Sequence, residues 1–195
     1  MRHFEKTSEK TKKFVGKTIF ETDRIPFKIR CRKDIRAKIF TFLFFASIPI
    51  FSFENNAISI LFSILFILFF LFVILYETYY ESREFVYKIE FENEKINIFG
   101  CNYDKDWVES FEIKKVNIKI KKHIAKFGRI IGYSIEFKNG KKKITLNKLH
   151  NWNNFTLYQI FNEFKKLKDE KIIIDEKSLI DGIKKKAEEE GEWKN

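Results

Sequence analysis

Polar and apolar positions are segregated along this chain. From Ile39 to Tyr76 only Glu54 is charged, and there is no lysine or arginine. A soluble domain interleaves polar and apolar residues, because each of its elements has a solvent-facing side. Residues 57–76 are 20 long and include 16 Leu, Ile, Phe or Val, which matches the length needed to cross the hydrocarbon core of a bilayer. This segment is predicted to be a transmembrane helix.

The apolar run before it, residues 39–53, predicts a second and shorter helix. Fifteen residues rise only about 22 Å, so we expect the helix to start near residue 35, with Arg36 and Lys38 extending their charged ends to the headgroups. Pro49 should kink it. Because a single helix through both runs would be too long for a bilayer, residues 54–56 are interpreted as an outer turn. The prediction is a two-helix transmembrane hairpin over 35–80, with helices at about 35–53 and 57–76.

Basic residues flank the apolar block on both sides and are absent from its turn. By the positive-inside rule, both termini are expected in the cytoplasm, and the protein is expected to be multi-pass. A basic cluster lies just before the first helix: Arg30, Arg32, Lys33, Arg36 and Lys38. Such clusters attract anionic lipid headgroups, but they also act simply as a topology signal, and both interpretations stay open.

Four serines are candidate contacts between the two helices. Folding the run about its centre sets Ser47 opposite Ser63 and Ser52 near Ser59, and small residues allow close helix packing in lipid. Serines scattered at random in membrane helices explain the pattern equally well.

After residue 84 the apolar period changes to two, which predicts about six short antiparallel strands up to residue 147. Asn139-Gly140 is a strong hairpin signal. A helix with apolar residues at Leu157, Ile160, Phe161 and Phe164 follows, and asparagines before it are suitable caps. Residues 1–34 are interpreted as a basic cytoplasmic segment with a flexible or surface-lying tail. Residues 169–195 are interpreted as a tail with a marginal surface helix.

This arrangement resembles the bacterial membrane-anchored pleckstrin-homology-like (YcxB-like) proteins. The resemblance rests on the helical hairpin, on "FVYKIEFENEKINIFG", on the "FKNGKKKITL" hairpin and on the closing helix. It implies a small antiparallel β-barrel or sandwich of six to seven strands over 84–168, capped by the C-terminal helix, in a protein of the bacterial inner membrane. The pattern gives six strands where the pleckstrin-homology fold has seven, so one strand is missed or absent.

Side chains with catalytic potential are sparse and scattered. His3, His123 and His150 lack ligand spacing, and the two cysteines form no CxxC pair. Gly16-Lys17-Thr18 is similar to the end of a P-loop, but Thr11 stands where its first glycine belongs. Asp104 and Asp106 are more typical of a solvated loop than of a general acid–base couple. The sequence therefore predicts a non-enzymatic protein without metal or cofactor. An enzyme acting on lipid, with His123 and His150 as its candidate residues, is a third alternative.

The net charge of +11 leaves a basic patch as the candidate binding site: Lys119, Lys121, Lys122, Lys138, Lys141, Lys142 and Lys143. These lysines are expected either to face anionic lipid or to form an ordinary solvated surface. The acidic loop 92–95 argues against specific inositol-phosphate binding. Nucleic-acid binding is disfavoured, because the aromatic residues of the strands fall on the apolar face, whereas stacking requires exposed rings.

The function expected from the sequence is an inner-membrane binding module with membrane lipids and an unidentified protein as partners. The alternative is an oligomeric effector in which several hairpins permeabilise or remodel the bilayer. A membrane effector of that kind would form a homo-oligomer.

Overall fold

The computed structural model describes residues 10–14, 16–52, 57–124, 128, 130–147 and 151–192. Within them the chain is broadly α+β, with a five-stranded and a three-stranded antiparallel sheet. The elements in chain order are β1 Lys10–Phe14, β2 Lys17–Glu21, α1 Phe27–Ser52, α2 Ala57–Arg83, β3 Glu84–Glu92, β4 Lys95–Asn102, β5 Lys105–Glu112, β6 Asn117–Ile124, β7 Ile130–Asn139, β8 Lys142–Asn147, α3 Asn154–Lys168 and α4 Ile174–Glu189.

The chain divides into two compact units. One, the helical unit, contains Ile25–Phe85 and Cys101–Lys105. The other, the β unit, contains the N-terminal segment up to Arg24 together with Val86–Gly100 and Asp106–Asn195.

In the helical unit, α1 and α2 run antiparallel. The start of α1 lies beside the end of α2, where Lys38 pairs with Glu81 at 2.7 Å and Asp34 accepts a hydrogen bond from Ser82 at 2.9 Å. α1 begins eight residues earlier than predicted, directly after Pro26, whose fixed φ suits a helix start. The outer turn predicted at residues 54–56 lies outside the described residues.

One segment among the described residues is long and apolar enough to cross a membrane. It is Ile60–Arg83, 24 residues long, and none of its apolar window is buried within the protein. The charge-free part of α1, from Ile39 to Ser52, rises only about 21 Å. A full crossing requires about 30 Å, so α2 alone meets the length criterion.

In the β unit, the six strands predicted after residue 84 are present as β3 to β8. A short 3₁₀ turn at Ile113–Lys115 separates β5 from β6 and divides the two sheets. This turn explains why the apolar parity shifts at Lys114 and Lys115. The Asn139-Gly140 hairpin is also confirmed, with Gly140 at a φ of 58°.

The interpretation of the N-terminal segment as a flexible or surface-lying tail is wrong for residues 10–14 and 16–21. They form the hairpin β1–β2, and β2 pairs antiparallel with β3, setting Phe20 opposite Ile89. Thr18, Phe20 and Thr22 point inward and are buried. Thr18 is one of the two buried residues of β2 and Thr22 follows the strand, so only Phe20 is visible in the hydrophobic pattern.

The interpretation of the C-terminal tail as a marginal surface helix is also wrong. α4 buries Ile180, Ile183 and Ala187, and Ile180 and Ile183 belong to the same core cluster as the buried face of α3. α4 packs so closely that a Cβ added to Gly182 would lie 2.2 Å from the Tyr133 hydroxyl. Only three inward residues are needed because α4 closes the edge of a core that the strands and α3 already fill.

α3 matches its prediction. Asn153 caps it by accepting a hydrogen bond from the Thr156 backbone N–H at 2.7 Å, and its buried face includes Leu157, Ile160, Phe161 and Phe164. Just before it, the fully buried Trp152 donates from Nε1 to the Val86 carbonyl at 2.9 Å.

Candidate functional site

The five basic residues predicted to meet anionic lipid are not equivalent in the helical unit. Arg32, Lys33 and Arg36 are exposed on α1. Lys38 is engaged by two carboxylates of α2, at 2.7 Å from Glu81 and 3.9 Å from Glu77. Arg30 is only 6% exposed.

The prediction that Arg30 contacts lipid headgroups is therefore wrong. Its guanidinium donates to the Ser82 carbonyl at 3.0 Å and to the Tyr103 carbonyl at 2.7 Å, and it also donates to Ile25. Ser82 lies in the last turn of α2, where unpaired carbonyls form the negative pole of the helix. A guanidinium has five N–H donors, so Arg30 is solvated by backbone instead of by water or a carboxylate.

Aromatic rings surround the Arg30 guanidinium. Its central carbon lies 5.1 Å from the ring centre of Phe85 and 5.7 Å from that of Phe27, within cation–π range. The Phe27 ring makes edge contacts with Tyr79 at 5.6 Å and Tyr103 at 5.1 Å. The whole cluster belongs to the helical unit and fixes the base of the helix pair.

The two aspartates considered for catalysis have structural partners. Asp104 accepts a hydrogen bond from the Phe27 backbone N–H at 2.9 Å, at the first residue of α1. Asp106 forms an ion pair with Arg24 at 2.9 Å. These contacts give both aspartates a structural role.

Part of the predicted lysine patch shares one face of the three-stranded sheet. The register sets Lys119 of β6 opposite Glu136 of β7, and Lys138 of β7 opposite Lys143 of β8. Lys121 lies on the same side. Because the inner side contains Ile118, Ile135, Phe137 and Leu146, these lysines form the outer face of the sheet, defined here by Lys119, Lys121, Glu136, Lys138 and Lys143.

Glu136 organises this outer face. It is 6% exposed and pairs with Lys121 at 2.6 Å and Lys143 at 2.9 Å. Burial raises the pKa of Glu136, but the hydrogen bonds and charges of the two lysines outweigh it, so the pKa lies below its ordinary value. Two lysines are thereby held against one carboxylate.

The remaining patch lysines lie elsewhere. Lys122 follows the inner positions of β6 but is exposed at the strand end, and Lys141 lies in the β7–β8 turn. Lys142 forms an ion pair with Glu109 of β5. The patch predicted from sequence is thus one ordered face with three peripheral lysines.

The five-stranded sheet repeats the motif on its own outer side. Glu90, also 6% exposed, pairs with Lys17 at 3.0 Å and Lys88 at 2.5 Å. Its pKa is lowered in the same way, with desolvation outweighed by the two lysines. On this side of β2 and β3, however, the two lysines face three glutamates: Glu21, Glu90 and Glu92.

A pair of glutamates near the C-terminus lies at the start of α3. The Glu192 carboxylate accepts the Asn154 backbone N–H at 2.8 Å and the Phe155 N–H at 3.3 Å, and Glu190 accepts from the Asn154 side chain at 2.9 Å. Burial first, and then the neighbouring Glu190, raise the pKa of Glu192 to about 7. No sequence pattern marked this contact, because it joins residues far apart in the chain.

The remaining chemical candidates give no catalytic arrangement in the described part of the chain. His123 lies 2.9 Å from the Ser134 hydroxyl, but that serine is 1% exposed. His3 and His150 fall outside the described residues. Gly16 occupies the β1–β2 turn at a φ of 76°, so Gly16-Lys17-Thr18 does not precede a helix. Across the described residues, no group of three or more His, Cys, Asp or Glu is arranged to hold a metal.

Two open clefts meet at the β3–β4 turn. The larger, about 540 Å³, is lined by Glu92, Asn93, Glu94, Lys95, Asn97 and Ser110. The smaller, about 330 Å³, lies between the β1–β2 turn and α3, where Thr18 donates to Glu163 at 3.1 Å. The larger cleft contains two glutamates and one lysine, so it is not a phosphate-binding surface.

Of the four serines expected to pack the helices, Ser47 donates to the Phe44 carbonyl of its own helix at 2.7 Å. Ser63 is half-buried on α2. The side chains of Ser52 and Ser59 lie outside the described part of the structure.

No family model, no curated protein and no solved structure matches the chain.

Proposed function

We propose that the protein is a non-enzymatic, membrane-anchored binding protein. α1 and α2 enter the membrane as a hairpin, and the β unit on the cytoplasmic side is a pleckstrin-homology-like binding module. The observation that carries this proposal is the pairing of a strand that precedes the helices with a strand that follows them.

The surface of α2 supports membrane insertion. Its apolar residues are exposed over a broad face of the helix, each by 50% or more: Ile58, Ile60, Leu61, Phe62, Ile64, Leu65, Leu68, Phe69 and Phe72. A soluble protein rarely exposes so large a continuous apolar surface. In a bilayer, lipid chains cover it.

The end of α2 has the composition of a membrane–water boundary. Phe72, Tyr76 and Tyr80 stack along one side with ring centres 6.2 and 6.4 Å apart, and Arg83 lies 4.9 Å from the centre of the Tyr80 ring. Tyrosines concentrate at the headgroup level of membrane proteins. The pairs of Lys38 with Glu77 and Glu81 lie at the same end, so both helices leave the apolar region together.

The sheet order favours a hairpin over a single crossing. β2 precedes α1 and β3 follows α2, yet Glu21 and Lys88 are partners in one antiparallel ladder. If α2 crossed the bilayer alone, the membrane would separate these two strands. This pairing supports a chain that returns to the side from which it left, although the apolar part of α1 is short. Arg36 and Lys38 can extend to the headgroups and lengthen it.

The strand count supports the pleckstrin-homology-like assignment. Without β1, the sheets contain four strands, β2 to β5, and three strands, β6 to β8, followed by α3. β2 thus supplies a seventh strand from the other side of the helices. On this basis we propose that the chain is related to the bacterial YcxB-like proteins and lies in the inner membrane with both termini in the cytoplasm.

Cysteine labelling in bacterial cells tests the topology. In a variant with Cys31→Ser and Cys101→Ala, Asn55→Cys is expected to react with a membrane-impermeant maleimide added outside, whereas Lys171→Cys is expected to react only after permeabilisation. Equal reactivity of both positions from the outside would reject the hairpin orientation.

The mass of the protein in mild detergent tests the binding role. We expect a defined small assembly that co-purifies with a second protein. A large homo-oligomer that contains no other protein and conducts ions in planar bilayers would favour the effector alternative.

A further inference from the structure

The outer face of the three-stranded sheet has an excess of positive charge. Four lysines share this face with one glutamate, which leaves a net charge of +3. Glu136 neutralises part of Lys121 and Lys143. Lys119 and Lys138 make no ion pair with any of the described residues, and both are exposed. These two lysines are the charges available to a ligand.

The rest of this face indicates which kind of partner it fits. Between the lysines lie Asn117, Ser134 and Thr145, which are small and polar. The described side chains of this face include no Phe, Tyr, Trp or Arg, and the His123 imidazole lies at the strand end, 2.9 Å from the Ser134 hydroxyl. Protein interfaces usually depend on buried aromatic or arginine anchors, and single-stranded nucleic acid requires aromatic stacking platforms. Lysines are flexible point charges, which suit a dense and laterally mobile array of phosphates.

We propose that the outer face of β6, β7 and β8 docks on the anionic lipid headgroups of the membrane that anchors the protein, with Lys119 and Lys138 as the principal contacts. The inference rests on the proposed membrane anchor, which confines the β unit to the neighbourhood of the bilayer and thereby raises the local headgroup concentration. Each lysine near an anionic surface strengthens such contact several-fold.

Glu136 has a distinct role in this surface. By holding Lys121 and Lys143 against the sheet, it lowers the charge of the face and leaves contact reversible. Glu136→Gln raises the net charge of the face to +4 and frees both ammonium groups. This substitution is expected to strengthen docking, whereas Glu90→Gln on the other sheet is the matched control and leaves docking unchanged.

Lysine footprinting of the full chain in lipid nanodiscs tests the proposal. The discs contain phosphatidylcholine alone or an equal mixture with phosphatidylglycerol, and a short acetylation pulse is read residue by residue by mass spectrometry. Lys119 and Lys138 are expected to be modified at least threefold more slowly in the anionic discs. Lys171 and Lys177, exposed in and before α4, are internal controls and are expected to react equally in both.

Three variants sharpen the result. Docking should also slow the modification of Lys121 and Lys143 in anionic discs, because they share the face, and Lys119→Gln with Lys138→Gln should abolish that difference. Lys171→Gln with Lys177→Gln should leave it intact. Glu136→Gln should extend the protection of Lys119 and Lys138 by a further twofold or more, while their modification in neutral discs stays the same.

Several outcomes would overturn docking on lipid. Equal modification of Lys119 and Lys138 in both discs, in protein that remains integrated, rejects it and leaves the membrane anchor standing. Protection in neutral discs on adding inorganic phosphate would identify a soluble anion as the ligand, and protection only on adding an acidic protein would identify a protein partner. Failure of the chain to enter either disc would instead reject the proposed function itself.

Discussion

The helical unit and the β unit bury charge in different ways. In the helical unit, Arg30 is satisfied by the carbonyls of Ile25, Ser82 and Tyr103. In the β unit, Glu90 and Glu136 are satisfied by lysine side chains that remain partly in solvent. Buried backbone carbonyls do not titrate, cannot rotate away and are not screened by salt. Lysine side chains at a surface can rotate away from a carboxylate, and salt screens their charge. The surroundings of the buried Arg30 are therefore expected to be rigid, whereas the lysines around Glu90 and Glu136 are expected to rearrange more readily.

The largest effect is expected for Arg30→Ala. It removes several charge-assisted hydrogen bonds and leaves the last carbonyls of α2 without a donor, at about 3 kcal/mol or more. For a chain of this size that corresponds to a fall of about 6–12 °C in Tm. The measurement is thermal unfolding of the detergent-solubilised protein. Arg36→Ala, an exposed position on the same helix, is the control and should shift stability by less than about 0.5 kcal/mol.

Arg30→Lys separates charge from geometry. A lysine keeps the charge but loses the planar fork that reaches several carbonyls at once, so most of the stability should still be lost. Full stability in Arg30→Lys would contradict the assignment of Arg30 as a multidentate carbonyl donor.

A smaller and unequal effect is expected for the two buried glutamates. Glu90→Gln should destabilise the protein by about 2 kcal/mol and Glu136→Gln by about 1 kcal/mol, since the lysines left behind are screened to different extents. Lys17 and Lys88 are 30% and 26% exposed, whereas Lys121 and Lys143 are 47% and 52% exposed. Urea unfolding followed by tryptophan fluorescence measures both. The reverse order would refute the link to lysine exposure.

The pH dependence of these sites has opposite signs. The lowered pKa values of Glu90 and Glu136 add stability above their ordinary value of 4.5, which is lost as the pH falls through the lowered values. The pKa of Glu192 is raised from 4.5 to about 7, so its contribution is present below 4.5 and is lost as the pH rises through 7.

Glu192→Gln should therefore be more stable than the natural protein at pH 8 by about 1 kcal/mol, and nearly equal to it at pH 4. The amide oxygen can still accept the Asn154 backbone N–H. Parallel pH titrations of Tm for the two proteins measure this difference. A constant difference across the range would show that Glu192 does not titrate near neutrality.

The smallest effect is expected from salt. Raising NaCl from about 0.05 M to about 0.5 M should reduce the cost of Glu136→Gln by about 0.5 kcal/mol or less, because its lysines are half exposed. The cost of Arg30→Ala should not change. An equal salt response at both sites would remove the distinction between the two units.

Residues that follow a local pattern were predictable. Strands β3 to β8 alternate apolar and polar positions, Asn139-Gly140 specifies its turn, and α3 repeats its apolar face at helical spacing and is capped by Asn153. β2 was missed because one of its two inward residues is a threonine, and its stability depends on pairing with β3. A helix was predicted at α4, but its packing on the core was missed because three inward residues suffice where the core is already formed.

The candidate sites were likewise predictable only where a local pattern marks them. The number of lysines and their positions along the strands were visible in the sequence, and they identified the outer face of β6, β7 and β8. Which lysines are neutralised depends on cross-strand register and on the position of Glu136, and no local rule supplies either. Arg30 looks like Arg32 and Arg36 in the sequence, and only its contacts with segments far along the chain distinguish it.

The pairing of β2 with β3 has a consequence for biosynthesis. β2 leaves the ribosome before the apolar helices, but its partner is translated only after both of them. If both helices insert as the proposed hairpin, the five-stranded sheet cannot close until the insertion machinery has received α1 and α2 and the chain has returned to the side of its N-terminus. Until then β2 presents unpaired backbone groups, and β-strand edges of that kind attract other chains. Under the proposed topology, completion of the sheet reports that insertion succeeded, and a chain with a misplaced hairpin would present an open edge to the proteases of quality control.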